Sequence, residues 1–174
     1  MRWLPQSSAL LFALFLVAAG STHAQGGEPS LQGTYTLDAA ASDDVDKAID
    51  HTVTRMNALK RPIARGRLQK VNQPYQRVVI AHSGSEVSIT TDSRAPIVTS
   101  PDGTPIQWTR EDGEKFDVST RWKEGKLEQT FKAEDGQRVN TYTLGPDGKL
   151  TMEAWVTSSR LPRPLAYKLV FNKE

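Results

Sequence analysis

Five glycine-containing pairs punctuate the second half of the chain at nearly even intervals. Asp102-Gly103, Asp112-Gly113, Glu124-Gly125, Asp135-Gly136 and Asp147-Gly148 are spaced 10, 12, 11 and 12 residues apart. An acidic residue followed by glycine is a hairpin signal, because glycine reaches the positive φ of a tight turn without steric cost. Between these turns the residues alternate. KFDVSTRW sets Phe116, Val118, Thr120 and Trp122 against Lys115, Asp117, Ser119 and Arg121, and KLEQTFK sets Leu127, Gln129 and Phe131 against Glu128 and Thr130. KLTMEAWV and PLAYKLVF do the same through Leu150, Met152, Ala154, Val156 and through Leu165, Tyr167, Leu169, Phe171. Period two with one polar side specifies antiparallel sheet with one face in water.

This rhythm predicts an early strand over 31–37 and nine more near 76–82, 86–91, 95–99, 105–110, 114–123, 126–133, 137–144, 149–158 and 164–173. Pro96 weakens the fourth. Between the first two strands the period changes. SDDVDKAIDHTVTRMNALK places Val45, Ala48, Ile49, Thr52, Val53, Met56 and Leu59 on one helical stripe, with Ser42 or Asp43 as the expected N-cap. Pro62 breaks or restarts this helix, and PIARGRLQKV is expected to form a shorter second one. The predicted fold is mainly β: an antiparallel up-and-down β-barrel of about ten strands, with a helix–turn–helix between the first and second.

Residues 1–24, MRWLPQSSALLFALFLVAAGSTHA, carry Arg2, an apolar stretch from Ala9 to Ala19, and small residues Thr22 and Ala24 before the expected cleavage point. That is the pattern of a signal peptide, too short in its apolar run to span a bilayer. Residues 25–30 are expected to be a flexible leader, residues 31–174 a single domain, and the destination secretion, most simply to a periplasm. With no cysteine in the chain, neither a lipidated N-terminus nor a disulfide is expected, and stability must come from one hydrophobic core. Removing the first 24 residues takes Arg2 and leaves 21 Lys and Arg against 20 Asp and Glu. So even a balance argues against nucleic acid as a partner.

The order of elements resembles the fatty-acid-binding proteins of the calycin (lipocalin-like) group across roughly residues 31–173. GTYTL (Gly33–Leu37) is similar to that group's opening strand, and DDVDKAI (Asp43–Ile49) to the start of its first helix. The C-terminal run of W-x-x-G-K-L, D-G, Y-T-L-x-x-D-G-K-L and A-Y-K is similar too. The resemblance implies a lipid-binding barrel, in which the group holds a fatty-acid carboxylate with two inward arginines and a tyrosine. Those arginine positions fall here on Tyr142 and Leu165, and the tyrosine on Tyr167. The usual clamp is therefore dismantled, and Arg138 and Arg110, on inward faces beside Tyr142 and Trp108, are the candidates to replace it. The group is mainly cytosolic, so exported bacterial barrels of lipocalin type are the nearer analogy in compartment.

Two further observations concern function. The inward faces carry Thr120, Gln129, Asn140 and Tyr142 among apolar neighbours, and buried polar groups need partners such as water, each other or a ligand. This makes Tyr35, Trp108, Trp122, Gln129, Arg138, Asn140, Tyr142 and Tyr167 the candidate ligand-binding set, with packing of the core as the alternative for each. The segment ALKRPIARGRLQK concentrates Lys60, Arg61, Arg65, Arg67 and Lys70 without an acid. It is either a solvated helix face or a surface for anionic membranes, as the helical lid of the resembled group provides. His51 and His82 have no cysteine or carboxylate at ligand spacing, so neither a metal nor a cofactor is expected, and no serine stands in a nucleophile elbow. The expectation is a monomeric, non-enzymatic binding protein for a small apolar or amphipathic ligand. The alternative is an interaction module with a filled barrel, using Trp155, Arg121 or the loop over 158–164.

Overall fold

A computed structural model describes residues 30–174; the expected signal peptide and nearly all of the leader lie outside them. The order is β1 (Gly33–Leu37), α1 (Val45–Val53), α2 (Lys60–Val71), β2 (Arg77–Ser83), β3 (Glu86–Thr91), β4 (Ile97–Thr99), β5 (Ile106–Thr109), β6 (Lys115–Lys123), β7 (Lys126–Lys132), β8 (Gly136–Leu144), β9 (Leu150–Ser158) and β10 (Leu165–Lys173). All strands join one antiparallel sheet in the order β4-β3-β2-β1-β10-β9-β8-β7-β6-β5. The chain is thus mainly β, a nearly closed ten-stranded barrel with both helices between β1 and β2, as the rhythm of turns predicts. The β6–β7 turn shows why an acidic-glycine pair suits it: Glu124 and Gly125 both take positive φ, 51° and 75°, which matches the twist of the flanking strands.

β4 and β5 do not pair with each other. Closure comes from below them instead, where the chain leaving β4 crosses to β6. Thr99 Oγ1 donates to Thr120 Oγ1 at 2.6 Å, and Gly103 N–H donates to the Thr120 carbonyl at 2.9 Å. The remaining gap opens toward the helices.

The helices are spliced into the barrel by borrowed strand hydrogen bonds. β1 covers β10 only from Phe171 to Lys173, which leaves the rest of that β10 edge unpaired. The β1–α1 connection fills it: Asp38 N–H donates to the Val170 carbonyl and Asp43 N–H to the Lys168 carbonyl, each at 2.8 Å. Side chains complete the set, with Val170 N–H donating to Ser42 Oγ at 2.9 Å and Lys168 N–H to the Asp43 carboxylate at 2.7 Å. Ser42 and Asp43 are therefore strand partners rather than caps. Asp44 caps α1, accepting from Lys47 N–H at 3.1 Å.

The helical stripe also stops earlier than expected. α1 ends at Val53, and Asn57 begins anew by accepting Lys60 N–H on its Oδ1 and Arg61 N–H on its carbonyl. Pro62 then lies in the first turn of α2, where its missing N–H has no partner to lose. Leu59, expected on the buried stripe, is 84% exposed. Val45 and Ile49 of α1 join the core, whereas α2 buries none of its residues.

Candidate functional site

Strand register converts the inward residues into rungs. The middle rung runs Thr120, Gln129, Asn140, Ala154, Tyr167 from β6 to β10, and Thr99 extends it through its hydroxyl contact with Thr120. One rung toward the helices stand Val118, Phe131, Arg138, Val156 and Leu165, with Trp108 opposite Phe116 beyond them. One rung away from the helices stand Trp122, Leu127, Tyr142, Met152 and Leu169. A polar belt therefore divides the barrel.

Below the belt the barrel is packed. Tyr35, Leu127, Tyr142, Leu150, Met152 and Phe171 are each 0% exposed. A side chain lining a water-sized void would carry accessible surface on that void, so none adjoins them. Tyr35 donates its hydroxyl to the Leu31 carbonyl at 2.9 Å and lies under Lys173, at the closed end. Trp122 packs against the same apolar cluster. Tyr35 thus lies at the closed end, while Trp122, partly exposed, shares a rung with Tyr142 two rungs from Arg138. Burial pushes the hydroxyl pKa up in Tyr35, Tyr142 and Tyr167, in the last against the opposing charge of Arg138.

Above the belt lies Arg138. Its Nε donates to Asn140 Oδ1 at 2.7 Å and its Nη1 to Asn72 Oδ1 at 3.2 Å. The guanidinium stands 5.5 Å from the Tyr75 ring centroid and 5.7 Å from that of Tyr167. No carboxylate comes within ion-pair distance of it among the described residues, and its buried Nη2 has no hydrogen-bond partner. Gln129, 2% exposed, likewise leaves Nε2 without one. Tyr167 donates to Asn72 Oδ1 at 3.4 Å, and Asn140 Nδ2 to the Tyr142 hydroxyl at 3.5 Å. Gln129, Asn140 and Tyr167 stand on the belt, Arg138 one rung above it, Tyr142 and Trp122 one rung below it, Trp108 two rungs above it and Tyr35 at the closed end.

Arg110 does not join them. It is bound at the rim by Asp112 at 2.8 Å and by Glu114, above the Phe116 ring. Its hydrogen bond holds the Asp112 carboxyl down to about 2. Of the two arginines proposed to replace the clamp, only Arg138 has an uncompensated charge inside the barrel. Beside it, Phe131, Phe116 and Trp108 form an aromatic trio with centroids 5.9–6.3 Å apart. All three are partly exposed.

Asn72 and Tyr75 are the site residues that sequence reasoning missed. Both fall in the α2–β2 connection, where no periodicity points inward. Tyr75 also stands 5.8 Å from Arg94, which approaches Glu111 at 4.0 Å across the mouth. Two open hollows of about 320 and 690 Å³ lie on the rim around Lys115 and Glu134, apart from Arg138.

Of the basic segment, Arg65 is taken by Asp50 at 2.5 and 3.0 Å, and Arg61 donates to the Thr54 and Met56 carbonyls. Lys60, Arg67 and Lys70 make no ion pair among the described residues. They share α2 and its start with exposed Leu59 and Ile63. Trp155 faces outward, half exposed, between Val139 and Ala166.

No family model and no curated protein sequence matches the chain. Solved structures do. The chain is similar to the REP1-NXSQ fatty acid transporter at 14% identity and TM-score 0.54, covering 83% of this chain and 96% of that one. It is similar to a secretary abundant heat soluble (SAHS) protein from Ramazzottius varieornatus at 9% identity and TM-score 0.60, covering 83% and 95%. It is similar to human cRBP IV at 18% identity and TM-score 0.51, covering 83% and 98%. The chain shares the fold of these three proteins, here a nearly closed ten-stranded antiparallel barrel with two helices between the first and second strands.

Proposed function

We propose that this protein is a monomeric, non-enzymatic binding protein for small amphipathic molecules, which enter at the helical end of the barrel. The observation that carries this reading is Arg138: a partly buried cation without a carboxylate, its buried Nη2 free, adjoining a partly exposed aromatic trio. A buried polar group left unpaired is costly, and a bound molecule relieves that cost. The ligand's polar end meets Arg138, Tyr167 and Asn72, and its apolar part meets Phe131, Phe116 and Trp108. The likeness to a fatty acid transporter supports a lipid-like ligand. Native mass spectrometry of protein purified from its source, followed by lipid extraction, is expected to find one chain with a co-purifying amphiphile. A protein that carries none and binds no added hydrophobic probe overturns the reading.

Export belongs to the same proposal: the protein works outside the cytoplasm after loss of residues 1–24, and its N-terminus is expected at Gln25. Recovery of the uncleaved chain from the cytosol contradicts this. Contact of α2 with anionic membranes is supported by Leu59 and Ile63, 84% and 60% exposed beside Lys60, Arg67 and Lys70. Charge reversal at Arg67 and Lys70 is expected to abolish sedimentation with phosphatidylglycerol vesicles, and unchanged sedimentation argues for a plain solvated face. A second reading, an interaction module, is favoured by the packed lower barrel and by Trp155 at 50% exposure. A partner captured by the native protein and lost with Trp155→Ala would establish it.

A further inference from the structure

We infer that the contact between Arg163 and His51 is an acid-sensitive clasp: it fastens the β9–β10 loop to α1 while the imidazole is neutral, and opens when His51 takes up a proton. The inference stands apart from ligand binding and holds whether or not the barrel carries a molecule.

The loop needs such a clasp because its second half has little backbone to bond. In SSRLPRP, residues 158–164, the first half is held close to the barrel. Ser159 N–H donates to the Asp135 carbonyl at 3.2 Å, Leu161 N–H donates to the Ser158 carbonyl at 3.1 Å, and Arg160 pairs with Asp135 at 2.8 Å. Pro162 and Pro164 have no N–H to donate, and Pro164 keeps Arg163 extended. That leaves the Arg163 side chain to reach across. Its Nη1 lies 2.7 Å from Nε2 and 3.3 Å from Nδ1 of His51, in the last turn of α1. Its Nε is buried without a partner, and no carboxylate pairs with it among the described residues.

The chemistry of this pair depends on one proton. A guanidinium only donates, so the ring must accept through an unprotonated nitrogen. Imidazole gains its second proton between about pH 8 and 5. Both ring nitrogens then carry hydrogen, and two cations stand in contact. The acids around α1 do not offset this. Asp44 holds Lys47, Asp50 holds Arg65 of α2, Asp46 receives Gln69 of α2, Asp43 receives the Lys168 N–H of β10, and Asp135 holds Arg160. Lys47 and Arg55, four residues to either side of His51, add like charge. The negative end of α1 favours one cation here. Arg163 supplies it while His51 is neutral, and protonated His51 replaces it in acid. The contact is therefore complete at the upper end of that pH range and is lost as pH falls through it. Ser159 and Arg160 also line the rim hollow of about 690 Å³, so release loosens one wall of the barrel mouth.

Amide hydrogen exchange of the whole protein, followed by NMR at about pH 7.5 and about pH 5 and scaled to intrinsic rates, tests this. The Ser159 and Leu161 amides are expected to exchange about two- to fivefold faster at the lower pH, the range of a contact between solvated groups. His51→Lys, which carries the charge permanently, is expected to show the fast rate at both. His51→Gln, which accepts through its amide oxygen at either pH, is expected to show the slow rate at both. Equal rates for the wild type at the two pH values overturn the inference. So does an acid response retained in His51→Gln, which assigns the titration to Asp135 instead, and so does a His51→Lys variant that exchanges as slowly as the wild type at the higher pH.

Discussion

Arg138 Nη1 donates to Asn72 Oδ1 at 3.2 Å, tying the partly buried cation of β8 to the residue that ends α2. Through this bond the lid and the barrel interior share one polar network, which Tyr167 enters from β10. Asn72→Asp would give Arg138 the carboxylate it lacks. The gain of a charge-assisted pair, about 1 kcal/mol, is offset by loss of the bond that Asn72 Nδ2 donates to the Leu68 carbonyl at 2.9 Å at the end of α2, so the expected net change in unfolding free energy is within about 1 kcal/mol. Asn72→Ala should destabilise by about 1–3 kcal/mol. Urea unfolding checks both.

Gln129 makes the opposite case. Its Nε2 is buried and unbonded, so replacing it by methionine, similar in length and apolar, removes a desolvated donor. Gln129→Met should stabilise the protein by about 1 kcal/mol. A loss of stability in urea unfolding would show that the amide has a partner in solution.

Barrel closure depends on the contact of Thr99 with Thr120, 2.6 Å between buried hydroxyls. Each single valine variant strands one hydroxyl and should cost about 1–2 kcal/mol; the double variant should cost less than the sum by about 1 kcal/mol. Amide exchange in β4 should accelerate in all three. Strict additivity would mean that closure rests on the Gly103 backbone bond instead.

Alkaline pH should weaken the fold. Burial raises the folded-state pKa of Tyr142, Tyr35 and Tyr167 above the ordinary 10.0. Above that value the unfolded chain releases these protons first, so stability is complete below about pH 10 and falls as pH rises beyond it. Each such tyrosine contributes up to about 1.4 kcal/mol per pH unit. Tyr142→Phe removes one titration, and its stability should decline less steeply over this range in a series of urea unfolding curves.

The strands and the inward set were legible in the sequence because alternation is local: each residue's side follows from its neighbours along the chain. The helix boundary was not. Met56 and Leu59 continue the apolar period, yet Asn57 captures the backbone donors of Lys60 and Arg61 and starts a new helix. Ser42 and Asp43 have the chemistry of caps, but an unpaired length of β10 claims them. In each case a hydrogen-bonding demand prevails over periodicity.

Amphipathic alternation and hairpin turns by themselves determined that this protein is an antiparallel barrel, and they identified Thr120, Gln129, Asn140, Tyr142 and Arg138 as inward-facing. Only the tertiary structure decided which of these share a rung, that Tyr35 lies at the closed end with Trp122 and Tyr142 below the polar belt, and that Asn72 and Tyr75 complete the surroundings of Arg138. The physical reason is register. Hydrogen bonding between strands sets the height of each residue in the barrel, and no pattern along one strand records the height of another.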